Sequence, residues 1–158
     1  MKKTFFIVCS LIFGLILSSF TGISAEEQTK YFGVGDTQVS KVEGQTYKVS
    51  TKGKKQDEGF VFTPKNIKPG SQITTQLELK GKGEVIIRVS ETNAKGKFIK
   101  ESIGEPIKLT DEWQNVQHNL MLSPETAEID VMVLTNRKQQ ATFQFKNVQI
   151  KNHESPTL

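Results

Sequence analysis

The sequence predicts an all-β domain built as a two-sheet antiparallel β-sandwich. Three observations carry that expectation. Apolar residues recur at every second position in several stretches between residues 68 and 136, the period of a half-buried strand. Helix-period patterns are almost absent after residue 25, and turn residues interrupt the strands at short intervals. Each strand has one apolar face, and burying that face requires a second sheet laid over it.

Taken in order, the chain of 158 residues opens with a segment that is not part of the fold. Lys2 and Lys3 precede an apolar run over residues 5–20, and Ile23-Ser24-Ala25 supplies small residues for cleavage. That arrangement predicts a secretory signal peptide over residues 1–25, with a sandwich domain over residues 26–151 and a flexible tail over 152–158. The run is shorter than the ~20 residues of a membrane-spanning helix, so no span is expected after cleavage. Cys9, the only cysteine, lies inside the signal. The expected mature chain has no disulfide framework or thiol metal site. An exported domain without cysteine suits a Gram-positive bacterium, secreted and in contact with the cell wall. Lys2 and Lys3 also account for two of the +4 formal charges. The near-balanced remainder gives no support to nucleic-acid binding.

The first strand is expected from Tyr31-Phe32-Gly33-Val34. A hairpin over 39–42 and 46–50 turns at Glu43-Gly44, and Tyr47 and Val49 share a core-facing parity. The TKGKKQD segment at 51–57 reads as a solvated basic loop, with contact to an anionic polymer as its functional alternative. Phe60 and Phe62 alternate in a short strand ended by Pro64. Lys68-Pro69-Gly70 is a turn. Ile73, Thr75, Leu77 and Leu79 then face inward, with Thr74, Gln76, Glu78 and Lys80 outward. Gly81-Lys82-Gly83 reads as a tight reversal into a hairpin strand with Val85, Ile87 and Val89 inward. Ile86 breaks that pattern. A second hairpin loop over 92–97 leads to a strand at Phe98-Ile99, and a short strand at 107–109 follows. Beyond Trp113, Val116, His118, Leu120 and Leu122 share one parity, and Ile129, Val131 and Val133 share the next. In the last strand the apolar phase switches from odd (Phe143, Phe145) to even (Val148, Ile150). A bulge near Lys146-Asn147 would restore one apolar face. The total is eight to ten strands.

This order of features resembles carbohydrate-binding modules of the family 4 and family 9 type. The carriers are the Pro69-Gly70 turn, the strand ending Leu79-Lys80-Gly81, the strand Val85-Ile86-Ile87-Arg88-Val89, Leu109-Thr110-Asp111-Glu112-Trp113-Gln114, the Ser123-Pro124-Glu125 turn, and Thr142-Phe143-Gln144-Phe145-Lys146-Asn147-Val148. The resemblance covers residues 31–150 and implies a galactose-binding-like jelly roll that binds glycan without chemistry. Such modules commonly place an aspartate for a structural calcium where Lys146 and Asn147 stand here, and calcium wants several oxygen ligands. No cofactor is therefore expected.

Sugars are held by aromatic faces and by side chains with paired donors and acceptors. The resemblance makes Trp113 a packing residue of the fold; its chemistry also makes it the stacking candidate. Gln76, Glu78, Arg88, Gln117, Asn119 and Asp130 all have the outward parity and would line a groove if their strands share one sheet. Ile86, Met121, Met132 and Leu134 share that parity and would form either a covered face or a contact surface. No acid–base pair, Ser-His-Asp set or metal spacing stands out, and His118 reads as a packed histidine. The expected function is therefore a secreted, monomeric, non-catalytic module for cell-wall or extracellular polysaccharide. The alternative is a cell-surface domain that has lost its sugar site and binds protein; a hydrolase or lyase is the remotest reading.

Overall fold

The structure, a computed structural model, describes residues 29–153. The expected signal peptide over 1–25 and residues 154–158 of the expected tail lie outside the described residues. Eleven strands are described: β1 (Phe32–Val34), β2 (Gln38–Glu43), β3 (Thr46–Ser50), β4 (Gly59–Phe62), β5 (Gln72–Lys82), β6 (Glu84–Asn93), β7 (Phe98–Ile103), β8 (Ile107–Lys108), β9 (Gln114–Met121), β10 (Thr126–Thr135) and β11 (Thr142–His153). They form two sheets, one ordered β1-β4-β10-β6-β7 with β8 also on β6, the other β2-β3-β11-β5-β9. Every described pairing is antiparallel. The chain is thus the expected all-β two-sheet sandwich.

The period-two residues fill the space between the sheets. Ile73, Leu77, Leu79, Val85, Ile87, Val89, Ile129, Val131 and Val133 belong to one buried cluster. One end of it is aromatic. Phe145 stacks on Phe60 with centroids 3.9 Å apart and on Tyr47 at 5.2 Å, and Tyr31 meets Phe145 edge-on at 4.8 Å. Burial and then the neighbouring Tyr47 push the Tyr31 phenol up to about 12, as befits a ring that packs. The expected bulge is present: the β11–β5 register shifts between Lys146 and Gln149, and Asn147 has φ +52°. His118 is half-buried against Ser102, with Nε2 3.0 Å from Oγ. Burial holds its imidazole below the ordinary 6.5.

Beyond the strand count, which is eleven among the described residues and not eight to ten, three expectations change. First, Gly81-Lys82-Gly83 does not close a hairpin, because β5 and β6 belong to different sheets. Gly81 and Gly83 have φ +146° and +116° and carry the chain from one layer to the other. A Cβ at Gly81 would lie 2.3 Å from the Thr142 carbonyl oxygen. Second, β11 runs through Asn152 and His153. The Asn152 side chain accepts from Lys68 N and donates to Asn66 O, each at 3.1 Å, so these two residues are not tail. Third, Ile86 and Leu134 are buried on the outer side of their sheet, outside the central cluster. The 51–58 loop is tied down on that sheet by Asp57 N to Thr135 O (3.3 Å), Thr135 N to Glu58 O (2.8 Å) and Arg88 to Asp57 (2.8 Å). That loop is not simply solvated. Glu58, fully buried, accepts backbone N–H groups from Lys52, Gly53, Lys54 and Lys55.

Candidate functional site

Crossing the sandwich from β5 to β6 divides the sequence-selected polar residues between two opposite faces. Gln76, Glu78, Gln117 and Asn119 lie on the outer face of the β2-β3-β11-β5-β9 sheet. Arg88 and Asp130 lie on the outer face of the other sheet. Strand parity shows whether a side chain points in or out of its own sheet, and both sheets have an outside; the single groove expected from all six does not form. Arg88 is engaged by Asp57 at 2.8 Å and approaches Glu101 at 3.8 Å. Asp130 accepts from the Thr63 hydroxyl at 2.5 Å.

The β5-centred face is ordered by register into cross-strand rows. Lys48, Gln144 and Lys80 form the first; Lys146, Glu78 and Asn115 the second; Gln149, Gln76 and Gln117 the third; Lys151, Thr74 and Asn119 the fourth. The bulge makes this possible, because it brings Gln149 and Lys151 onto the same face as Gln144 and Lys146. Neighbouring side chains in these rows hold one another. Asn147 Nδ2 donates to Glu78 Oε1 at 2.6 Å and Lys146 Nζ lies 3.3 Å from Glu78 Oε2. The Asn147 amide, and then Lys146, hold the Glu78 carboxyl below its ordinary range against the opposing effect of desolvation. Lys151 Nζ donates to Gln76 Oε1 at 2.8 Å, and the Thr74 hydroxyl is 2.6 Å from Asn119 Oδ1 and 2.7 Å from His153 Nε2.

Trp113 joins this face rather than the core. It is half-buried, immediately before β9, with Lys80 Nζ 4.7 Å and Lys146 Nζ 4.3 Å from its ring centroid. The expected packing role holds only at the rim and not in the core: the ring faces outward beside β5 because Gln114, the next residue, pairs with inward-facing Leu79. Its π-face attracts two ammonium groups. Sequence reasoning missed Lys48, Lys80, Asn115, Lys146, Gln149 and Lys151 as site residues. The phase switch in β11 was the signal that could have found the last two.

The residues at the position of the family-type calcium do not fit that ion. Lys146 places an ammonium there, 3.3 Å from the Glu78 carboxylate, where an oxygen ligand would be needed. Among the described residues no cluster of three or more His, Cys, Asp or Glu could hold a metal. Among them, also, no helix is long and apolar enough to cross a membrane.

No family model matches the chain, and no curated protein matches it in sequence. Solved structures do match. One is the CBM22-1–GH10 portion of endo-1,4-β-D-xylanase 10B from Clostridium thermocellum, complexed with xylohexaose (TM-score 0.66, 15% identity, 78% of this chain and 26% of that one). The present chain therefore spans about a quarter of that protein. A CBM22-1 xylan-binding domain from Paenibacillus barcinonensis matches at TM-score 0.62 and 10% identity, covering 79% of this chain and 86% of that one. A family 4 carbohydrate-binding module matches at TM-score 0.57 and 14% identity, covering 78% and 94%. At such identities the likeness is one of fold, and the fold is the β-sandwich of carbohydrate-binding modules.

Proposed function

We propose that this protein is an exported, non-catalytic carbohydrate-binding domain, and that the outer face of the β5-centred sheet is its glycan site. The observation that carries the proposal is the set of cross-strand rows in which Gln76, Glu78, Asn115, Gln117, Asn119 and Gln149 align amides and a carboxylate. The amides both donate to and accept from sugar hydroxyls, and the carboxylate accepts from them. The fold shared with carbohydrate-binding modules supports the same reading. The signal-like segment over 1–25 supports export. The form recovered from culture medium is expected to begin at Glu26, read by terminal sequencing; a protein retained in the cell with Met1 intact would remove the export part.

Binding is tested by affinity electrophoresis and calorimetry against a panel of plant and cell-wall polysaccharides. The Gln76→Ala/Gln117→Ala double variant is expected to lose about tenfold or more in affinity, since each lost sugar hydrogen bond is worth about 0.5–1.5 kcal/mol. Its melting temperature should hold, because both side chains lie on the solvent side of the sheet. Glu128→Ala, on the opposite sheet, should bind normally. A folded protein that retains no polymer overturns the proposal. Capture of a cell-surface protein that is indifferent to Gln76 and Gln117 would favour the interaction-domain alternative.

A further inference from the structure

We infer that the glycan taken by this face is anionic, a polysaccharide carrying carboxylate or phosphate groups. This deepens the proposed function and rests on the β5-centred face being the glycan site.

Three features of the face point to charge. The first is the state of its aromatic ring. A neutral sugar binds chiefly by laying its C–H face on an open ring, and Trp113 is the aromatic residue of these rows. With Lys80 and Lys146 at 4.7 and 4.3 Å from its centroid, stacking would require displacing both ammonium groups from a surface that attracts them. The ring instead positions two cations.

The second is the balance and spacing of charge. The rows contain Lys48, Lys80, Lys146 and Lys151 against the single carboxylate of Glu78, already engaged by Lys146 and Asn147. From the Lys80 row to the Lys151 row is six residues along β5, about 20 Å. Lys48 lies two strands across from Lys80, about 10 Å. Between the cations stand the amides of Gln76, Gln117, Asn119 and Gln149. An extended polymer with anions along its length and hydroxyls between them matches that alternation. A recess of about 340 Å³ at the Lys80 end is lined by Lys48, Lys80 and Lys82 beside Asp111, which would take an anionic substituent at the end of the ladder.

The third is the contrast with the opposite sheet. There the strand cation Arg88 is matched by Asp57 and Glu101, and β10 adds Asp130 opposite Ser90 and Glu128 opposite Thr92. The 51–58 loop adds Lys52, Lys54 and Lys55 on that side, with Lys55 paired to Asp36 at 3.0 Å; the strands of the β5-centred face differ in setting four lysines in register against one carboxylate. Charge complementarity of this kind gives specificity and a strong salt dependence.

Calorimetry on the purified exported protein tests the inference with matched probes: polygalacturonate and its fully methyl-esterified form, a glycerol-phosphate teichoic acid, neutral xylan and β-glucan, and polyglutamate as a non-sugar polyanion. Polygalacturonate or teichoic acid should bind about tenfold or more tighter than the esterified and neutral polymers. Raising salt from about 50 to about 500 mM should weaken that binding, because the Debye length shrinks toward contact distance. Preference for the first identifies carboxylate recognition, for the second phosphate. Lys146→Gln/Lys151→Gln should lose about tenfold with its melting temperature kept, while Lys95→Gln, in the β6–β7 loop, should not change. Equal or tighter binding of xylan, β-glucan or the esterified polymer overturns the inference and leaves the carbohydrate reading standing. Polyglutamate bound as tightly as any glycan, or no polymer bound at all, overturns both.

Discussion

Glu58→Gln is expected to destabilise the domain by about 1–3 kcal/mol, the cost of leaving buried backbone N–H donors without an acceptor. The Glu58 carboxylate is fully buried and accepts four backbone N–H groups, from Lys52 (2.6 Å), Gly53 (2.7 Å), Lys54 (2.9 Å) and Lys55 (2.9 Å). A glutamine keeps one acceptor oxygen and turns an NH2 group toward the other donors, leaving buried N–H groups unpaired. The loop those donors belong to would then loosen, and with it the cover over Ile86 and Leu134. Burial pushes the Glu58 carboxyl up, but the four backbone donors outweigh it, and the group sits below its ordinary 4.5. A carboxylate with a depressed folded pKa contributes stability above its unfolded value, and that contribution is lost as pH falls through the folded value. Native stability should therefore fall with acidification from about pH 4.5 downward, and the slope should be shallower in Glu58→Gln. Urea unfolding from pH 7 to pH 3 measures both quantities. A variant with the parent midpoint at pH 7 would refute the loop's dependence on this carboxylate.

Phe145→Ala is expected to cost about 3–5 kcal/mol, the usual range for removing a buried phenyl ring from a core. For a domain of this size that is roughly 10–20 °C in melting temperature. Phe145 is fully buried and lies between Phe60 and Tyr47, stacked on both, with Tyr31 at its edge. Its loss leaves a void bordered by rings from three other strands or their flanks, and stacked rings cannot all move in to fill it. Phe145→Leu, which keeps most of the volume, should cost less than half as much. Thermal scans of the two variants distinguish packing from mere hydrophobicity: equal losses would mean that ring geometry contributes nothing.

The strands were legible wherever one face is buried and the other wet. Ile73 to Leu79 alternate cleanly, and so do Val116 to Leu122, because side chains in a strand have a period of two and water enforces the difference. The β11 bulge was legible too, since Phe143 and Phe145 against Val148 and Ile150 can share a core only if one residue is inserted. Partnership between strands was not. Gly81-Lys82-Gly83 looks the same whether it closes a hairpin or lifts the chain to another layer, and the choice depends on β11 and β10, which lie at least 40 residues away. That ambiguity is why Arg88 and Asp130 were grouped with Gln76 and Gln117. Glu58 was hidden for another reason. Its partners are backbone N–H groups, which every residue has, so nothing in the side-chain pattern of TKGKKQD marks a carboxylate cradle.

The position of β11 has a consequence for how the molecule is made. Residues 142–153 form the middle strand of the β2-β3-β11-β5-β9 sheet, with β3 on one side and β5 on the other. Until they are released from the ribosome, β3 and β5 have no neighbour between them, and both offer unpaired strand edges. Folding that depends on such non-local pairing is slow, because the long connection between β5 and β11 must close before this sheet is complete. An open chain is the form most exposed to proteases and to edge-to-edge pairing with other chains. The completing strand thus joins the two halves of this sheet and sets the moment at which the polar rows on its outer face are assembled.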